Sequence, residues 1–212
     1  MPNAARGIAR SEQQRVLDEA LKCFYYEGIE RTKVATIAQK AGVTSMSVYR
    51  YYGDKENIVL ESAMLFWNKL TSELLSAVEA EDMSGLNGLE RVEKLLKLYV
   101  SMYRQNTQAL LLLQEFEIYV HKRKYFENRE RVGAQFERVC QPIADALEAG
   151  VADGSVRSDV DRAELCSVIA NALFGTMQKL VANTQGLFAS KSCPAPRQME
   201  LLCDMFINYV KA

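Results

Sequence analysis

Residues 28–55 read GIERTKVATIAQKAGVTSMSVYRYYGDK, and their spacing decides the fold. Val34, Ile37, Ala38 and Ala41 recur at helical intervals and make one apolar stripe. Thr32 is the expected N-cap of that helix, and Gly42 supplies the left-handed residue that ends it. Gly42, Val43 and Thr44 leave room for only a short turn before another helix starts at Thr44 or Ser45, which is helix-turn-helix spacing. This third helix, expected over 45–51, buries Val48 and presents Ser45, Met46, Ser47, Tyr49 and Arg50. Such side chains suit a duplex. Hydroxyls and tyrosine bond phosphate oxygens, arginine forks onto guanine in the major groove, and a thioether touches a thymine methyl.

Downstream, Gly53 and Asp54 break and recap the chain, so Lys55 falls in the first turn of a fourth helix. A cation there opposes the helix dipole, unless it and the adjoining amides face a phosphate. Tyr51 and Tyr52 are adjacent and point to different sides; Tyr52 is expected in the core, whereas Tyr49 shares the exposed side of Ser45. Upstream, Ser11 and Gln14 fit a capping box, so a helix is expected to begin there. Leu17, Ala20, Leu21 and Phe24 form its apolar stripe, and Gly28 closes it.

The rest of the 212 residues follows the same period. Hydrophobic residues make up 49% and charged residues 25%, values of a folded chain rather than a disordered one. Only four prolines interrupt it, and long Leu- and Ala-rich stretches replace any strict alternation, so the chain reads as all-α. Residues 1–10 lack the apolar run of a signal peptide, and no stretch reaches the roughly 18 uncharged apolar residues of a spanning helix. The expectation is a cytoplasmic protein without a membrane partner. Five scattered cysteines, with no C-x-x-C pair, suit reduced core thiols rather than a disulfide or zinc framework. To Lys55 there are 9 Lys or Arg against 6 Asp or Glu, a net of +3; the remainder has 17 against 21, a net of −4. A basic head on an acidic body points the head at a polyanion.

Gly28, Thr32, Ile37, Ala38, Ala41, Gly42, Val43, Tyr49, Tyr51, Tyr52, Lys55 and Glu56 together resemble the amino-terminal signature of the tetracycline-repressor (TetR) family. The likeness covers residues 11–60. It implies a three-helix DNA-binding head, a fourth helix leading into an all-α regulatory body, action as a homodimer, and Tyr49 and Lys55 at phosphates. Lys33 stands where the family often has a second threonine, and Ser45 with Met46 where lysine and glycine are frequent; these departures lie on the DNA side and bear on the operator sequence. The expected DNA-facing set is Thr32, Lys33, Thr44, Ser45, Met46, Ser47, Tyr49, Arg50 and Lys55. The expected division is a DNA-binding domain at 1–54 and a ligand-binding and dimerisation domain at 55–212.

Beyond Lys55 six helices are expected, at about 55–80, 86–105, 107–122, 125–150, 162–185 and 196–211. The segment 150–162, GVADGSVRSDVDR, reads as a loop with Asp161 capping the next helix; it lacks EF-hand spacing. Leu165, Ile169, Ala172 and Leu173 with Thr176 and Leu180 form one stripe, and Met199, Leu202, Phe206 and Val210 another. By the resemblance these last helices pair with their twins in a second subunit, which a reader of two half-sites needs. Phe66, Trp67, Tyr99, Met102, Tyr103, Phe116, Tyr119, Phe174 and Met177 are candidate lining of an apolar pocket, though helical spacing suits plain core as well. Glu115, Asn171 and Gln178 are possible polar contacts there.

No nucleophile set, phosphate loop or H-E-x-x-H assembles around the single histidine, His121, which reads as a partly exposed helix-end residue. No cofactor, metal or catalytic residue is expected. The leading function is therefore a DNA-binding transcriptional regulator, a repressor released by a small, largely apolar ligand. A second reading keeps the same head and makes Cys23, Cys140 or Cys166 a redox sensor, with Cys140 favoured by nearby Arg138. An all-α enzyme or an interaction module that ignores DNA is the third.

Overall fold

The computed structural model describes residues 2–123, 129–182 and 192–212, the side chains of 2–8, 102–104 and 129–132 excepted. Among the described residues nine helices follow one another: α1 Pro2–Glu27, α2 Val34–Ala41, α3 Ser45–Tyr52, α4 Lys55–Glu79, α5 Gly88–Gln105, α6 Thr107–Lys122, α7 Arg129–Asp153, α8 Arg162–Ala182 and α9 Ala195–Val210. The chain is all-α, as its periodicity requires.

Two boundaries differ from the sequence reading. Helix α1 begins at Pro2, not Ser11. Proline suits the first helical position, and the Ala- and Ile-rich stretch behind it has no reason to break. Ser11 is therefore inside a helix, and Gln14 donates to Asp18 Oδ1 at 3.1 Å instead of closing a capping box. Helix α7 runs through Gly150 to Asp153, so the loop expected at 150–162 is shorter by a turn.

The acidic residues of that connection have structural partners. Asp161 Oδ1 accepts from the amides of Ala163 and Glu164, the cap expected for α8. Asp159 forks onto Arg157. Asp153 Oδ2 accepts from Gly88 N at 2.7 Å and Ser155 Oγ accepts from Leu89 N at 3.0 Å, so the end of α7 caps the start of α5. Hydrogen bonds from Ser155 and from the Gly88 amide hold the Asp153 carboxyl below the usual carboxylate range.

The described residues pack as two units, 1–69 with 112–129 and 70–111 with 130–212. The first unit is wider than the 1–54 segment, because the start of α4 and the second half of α6 share its core. That core joins Ala20 and Phe24 of α1, Ile37 and Ala41 of α2, Val48 of α3, Ile58 and Val59 of α4, and Leu112 and Phe116 of α6. Phe116 stands edge-on to Phe24 with centroids 6.1 Å apart, and Phe66 lies 6.3 Å from Phe116.

The second unit buries Val92 and Leu96 of α5, Ile143 and Leu147 of α7, Ile169, Leu173 and Met177 of α8, and Met199 and Val210 of α9. Helix α8 is long and apolar enough to cross a membrane by length and composition, with mean hydropathy 1.3. Its Leu165, Ile169, Leu173, Met177 and Val181 are instead buried in this unit.

Candidate nucleic-acid interface

Helix α2 buries the stripe read from the sequence, Val34, Ile37, Ala38 and Ala41, and ends at Gly42 with φ +67°. Helix α3 starts on an extended Thr44, whose Oγ1 accepts from Ser47 N at 3.1 Å. Of its residues only Val48 is buried. One turn of chain between two short helices thus presents Met46, Tyr49 and Arg50 outward. Met46 is 81% exposed and Tyr49 50% exposed, Arg50 is exposed, and Ser45 and Ser47 are half-buried. An exposed thioether, phenol and guanidinium on one short helix are groups able to contact base edges and phosphates in a major groove.

Behind this face, Tyr52 is anchored as expected: its hydroxyl donates to Gln13 O at 2.8 Å and burial pushes its pKa up to about 12. Tyr51 reaches back to α1 as well, donating to Glu12 Oε2. Gly53 turns the chain at φ +79°, and Asp54 Oδ1 caps α4 through Asn57 N at 2.7 Å.

Two members of the expected DNA-facing set have partners within the protein. Thr32 is not the N-cap of α2; Lys33 holds that position, with no side-chain cap. Thr32 is 1% exposed and its Oγ1 donates to Gly28 O at 2.8 Å, so the hydroxyl stitches the α1–α2 turn and is closed off from any external phosphate. Lys33 itself is exposed. Lys55 is half-buried, and Nζ donates to Glu30 O at 3.2 Å while lying 6.0 Å from the Tyr119 ring centre. Burial pulls its ammonium below the ordinary lysine value; Arg123 adds to that and Glu30 opposes it.

The second half of α6 grips the same turn. Glu115 Oε1 accepts from Ile29 N at 2.6 Å, beside Gly28 with φ +83°. Arg123 stacks over Tyr119 at 4.0 Å and donates to Glu56 at 3.1 Å and Glu30 at 3.2 Å. Sequence reading gave Glu115 to a pocket and left Glu30, Glu56 and Arg123 without roles. Their partners lie tens of residues away, beyond any local pattern.

Residues 16–62 match the tetR family of bacterial regulatory proteins. The chain is 29% identical over 146 residues to the HTH-type transcriptional repressor KstR2 of Rhodococcus jostii RHA1, covering 69% of this chain and 68% of that one. It is 19% identical to the fatty acid metabolism regulator protein of Bacillus subtilis 168, over 81% and 82% of the two chains. Thermus thermophilus FadR, solved in complex with lauroyl-CoA, has the same fold: TM-score 0.58 at 18% identity, over 92% of this chain and 93% of that one. The amino-terminal segment of the chain is thus similar to the tetR family of regulatory proteins, and the whole chain has the fold of solved members.

The described members of the set expected to line a pocket divide between the two units. Phe116 and Tyr119 are buried in the core of the first unit, and Phe66 packs against it. Trp67, half-buried, is in that unit too. Tyr99, Phe174 and Met177 belong to the core of the second unit, where Tyr99 donates to Val139 O at 2.6 Å and burial raises its pKa. The side chains of Met102 and Tyr103 lie outside the described residues. A cleft of about 530 Å³ in the second unit is lined by other side chains, among them Gln141, Asp145, Glu148, Val151 and Arg162. The aromatic stripes were genuine helical stripes, but most of this set serves two separate cores.

Cys140, favoured for redox chemistry, lacks the environment it needs. Burial pushes its pKa up to about 11, and no cation offsets that. Cys23 and Cys166 are raised by burial as well. A thiol raised in this way stays protonated at neutral pH, and the reactive thiolate forms only as pH climbs toward the shifted value. Iodoacetamide at neutral pH is therefore expected to label Cys140 more slowly than it labels free glutathione, and Cys140→Ser should leave DNA binding and its response to peroxide unchanged. Rapid labelling would restore the sensor reading.

Proposed function

We propose that this chain is a homodimeric repressor, cytoplasmic in location, that is released from its operator by a small, largely apolar ligand. DNA binding rests on the segment 1–54, and ligand binding and dimerisation on 55–212. The observation that carries the reading is α3, a helix that buries Val48, ties Tyr51 and Tyr52 back to α1, and exposes Met46, Tyr49 and Arg50. Lys33, Thr44, Ser45 and Ser47 flank that surface. Val168 of α8 and Leu201, Met205 and Tyr209 of α9 are large apolar side chains left exposed, which supports pairing of these helices with a second copy. Two heads are needed because one alone neutralises too few phosphates and reads only one half-site.

Ligand release is supported by relatives whose names describe a repressor and a fatty acid regulator. A ligand shifts the equilibrium only by binding one head arrangement better than the other. Lauroyl-CoA is the first probe, since a protein of this fold holds it. The expectation is a saturable weakening of operator binding as lauroyl-CoA is added.

Arg50→Ala tests the DNA reading. On a duplex enriched from a random pool by the wild-type protein, it is expected to cost about 1–3 kcal/mol, with a smaller loss on a scrambled duplex. Equal losses on both would make Arg50 a phosphate contact, and no loss on either would remove α3 from the interface.

A further inference from the structure

Glu12 lies on α1, yet its carboxylate stands at the edge of the α3 surface. Tyr51 Oη donates to Glu12 Oε2 at 2.5 Å, and Arg50 NH2 donates to the same Tyr51 oxygen at 3.2 Å. The Arg50 guanidinium lies 5.1 Å from the centre of the Tyr51 ring. A phenol has one proton and two lone pairs. With the proton committed to Glu12, the oxygen has only acceptor capacity left, and Arg50 uses it. The chain from carboxylate through hydroxyl to guanidinium is charge-assisted at both ends.

A carboxylate at this place is costly for a protein that grips a polyanion, because it weakens the attraction to every duplex alike. What it supplies in return is order. Arginine on an exposed helix loses side-chain freedom when it docks, and a side chain already held needs less. We infer that Glu12 and Tyr51 are positioning residues that aim Arg50 at a base edge and so set the sequence selectivity of α3. The inference rests on the reading that α3 docks on a duplex. It also separates Tyr51 from Tyr49: a hydroxyl that has given its proton to Glu12 has none for a phosphate oxygen.

The test compares wild type, Glu12→Ala, Glu12→Gln and Tyr51→Phe on two duplexes at one salt concentration, the enriched duplex and its scrambled counterpart. Glu12→Ala and Tyr51→Phe are expected to lower the ratio of the two affinities about tenfold. Binding of Glu12→Ala to the scrambled duplex should hold or rise, since a negative charge has gone. Glu12→Gln keeps an acceptor oxygen and should retain most of the ratio, a rescue that a role in charge alone or in folding alone would not give. The double variant Glu12→Ala, Tyr51→Phe should be no less selective than Tyr51→Phe, because the three groups act as one chain. An unchanged ratio, or equal losses on both duplexes in variants that melt like wild type, overturns the positioning role. Wild type that binds no duplex overturns it together with the DNA reading; wild type that binds with a ratio indifferent to Glu12 and Tyr51 overturns the positioning role alone.

Discussion

Gly88→Ala is expected to lower stability by on the order of 3 kcal/mol or more, the upper end for an overpacked site. At Gly88 the first turn of α5 meets the last turns of α7. A Cβ there would fall inside the van der Waals radii of Gly150 N and Cα and 2.8 Å from Ala146 O. These are backbone atoms, so no rotamer change relieves the clash. Moving α5 away would also stretch the 2.7 Å bond from Gly88 N to Asp153 Oδ2. For a chain of this length the loss corresponds to a fall in melting temperature of about 6–12 °C. Gly133→Ala is the control, since nothing lies within 4 Å of its added Cβ, and in a helix it should stabilise slightly. Thermal denaturation followed by circular dichroism decides: similar melting of the two variants would mean that α5 and α7 do not approach at this point.

The second large effect is at Phe116. Truncation to alanine is expected to cost about 3–5 kcal/mol, because it empties the space between Phe24 and Phe66 and leaves the surrounding side chains without contacts. Phe116 is 3% exposed. The variant should lose DNA binding through unfolding of the first unit, and lowering the temperature should restore binding. Phe116→Leu should be milder, since it keeps most of the buried volume. Normal melting with an altered response to lauroyl-CoA would instead return Phe116 to a ligand site.

These two positions also show what could be read from the residues. The stripe Val34, Ile37, Ala38, Ala41 and the stop at Gly42 are local statements, fulfilled within one short helix, and α2 follows them residue for residue. The same holds for Val48 with its Thr44 cap, and for Asp161 at α8. Phe116 and Tyr119 belong to an equally clear stripe, but periodicity says only that a face is buried, not against what. Their partners, Phe24 and Glu56, are chosen by the tertiary fold. Thr32 failed for a related reason. A threonine before a helix serves as a cap or turns back to a carbonyl, and here Gly28 O takes its proton. Ser11 and Gln14 have capping-box spacing, but helix already runs from Pro2, so no free amides are left at Ser11 to cap. Glu12 gave no sequence signal at all, since its partner Tyr51 is brought near only when α1 and α3 pack.

The central claim is that α3 of each of two subunits lies in the major groove of one duplex. Hydroxyl-radical footprinting of wild type and Arg50→Ala on the enriched duplex tests it most directly. Two protected stretches are predicted, separated by one helical turn, about 34–36 Å, or a whole multiple of it, both fading in Arg50→Ala. A single protected patch, protection indifferent to Arg50, or none at protein concentrations that saturate the lane would contradict it.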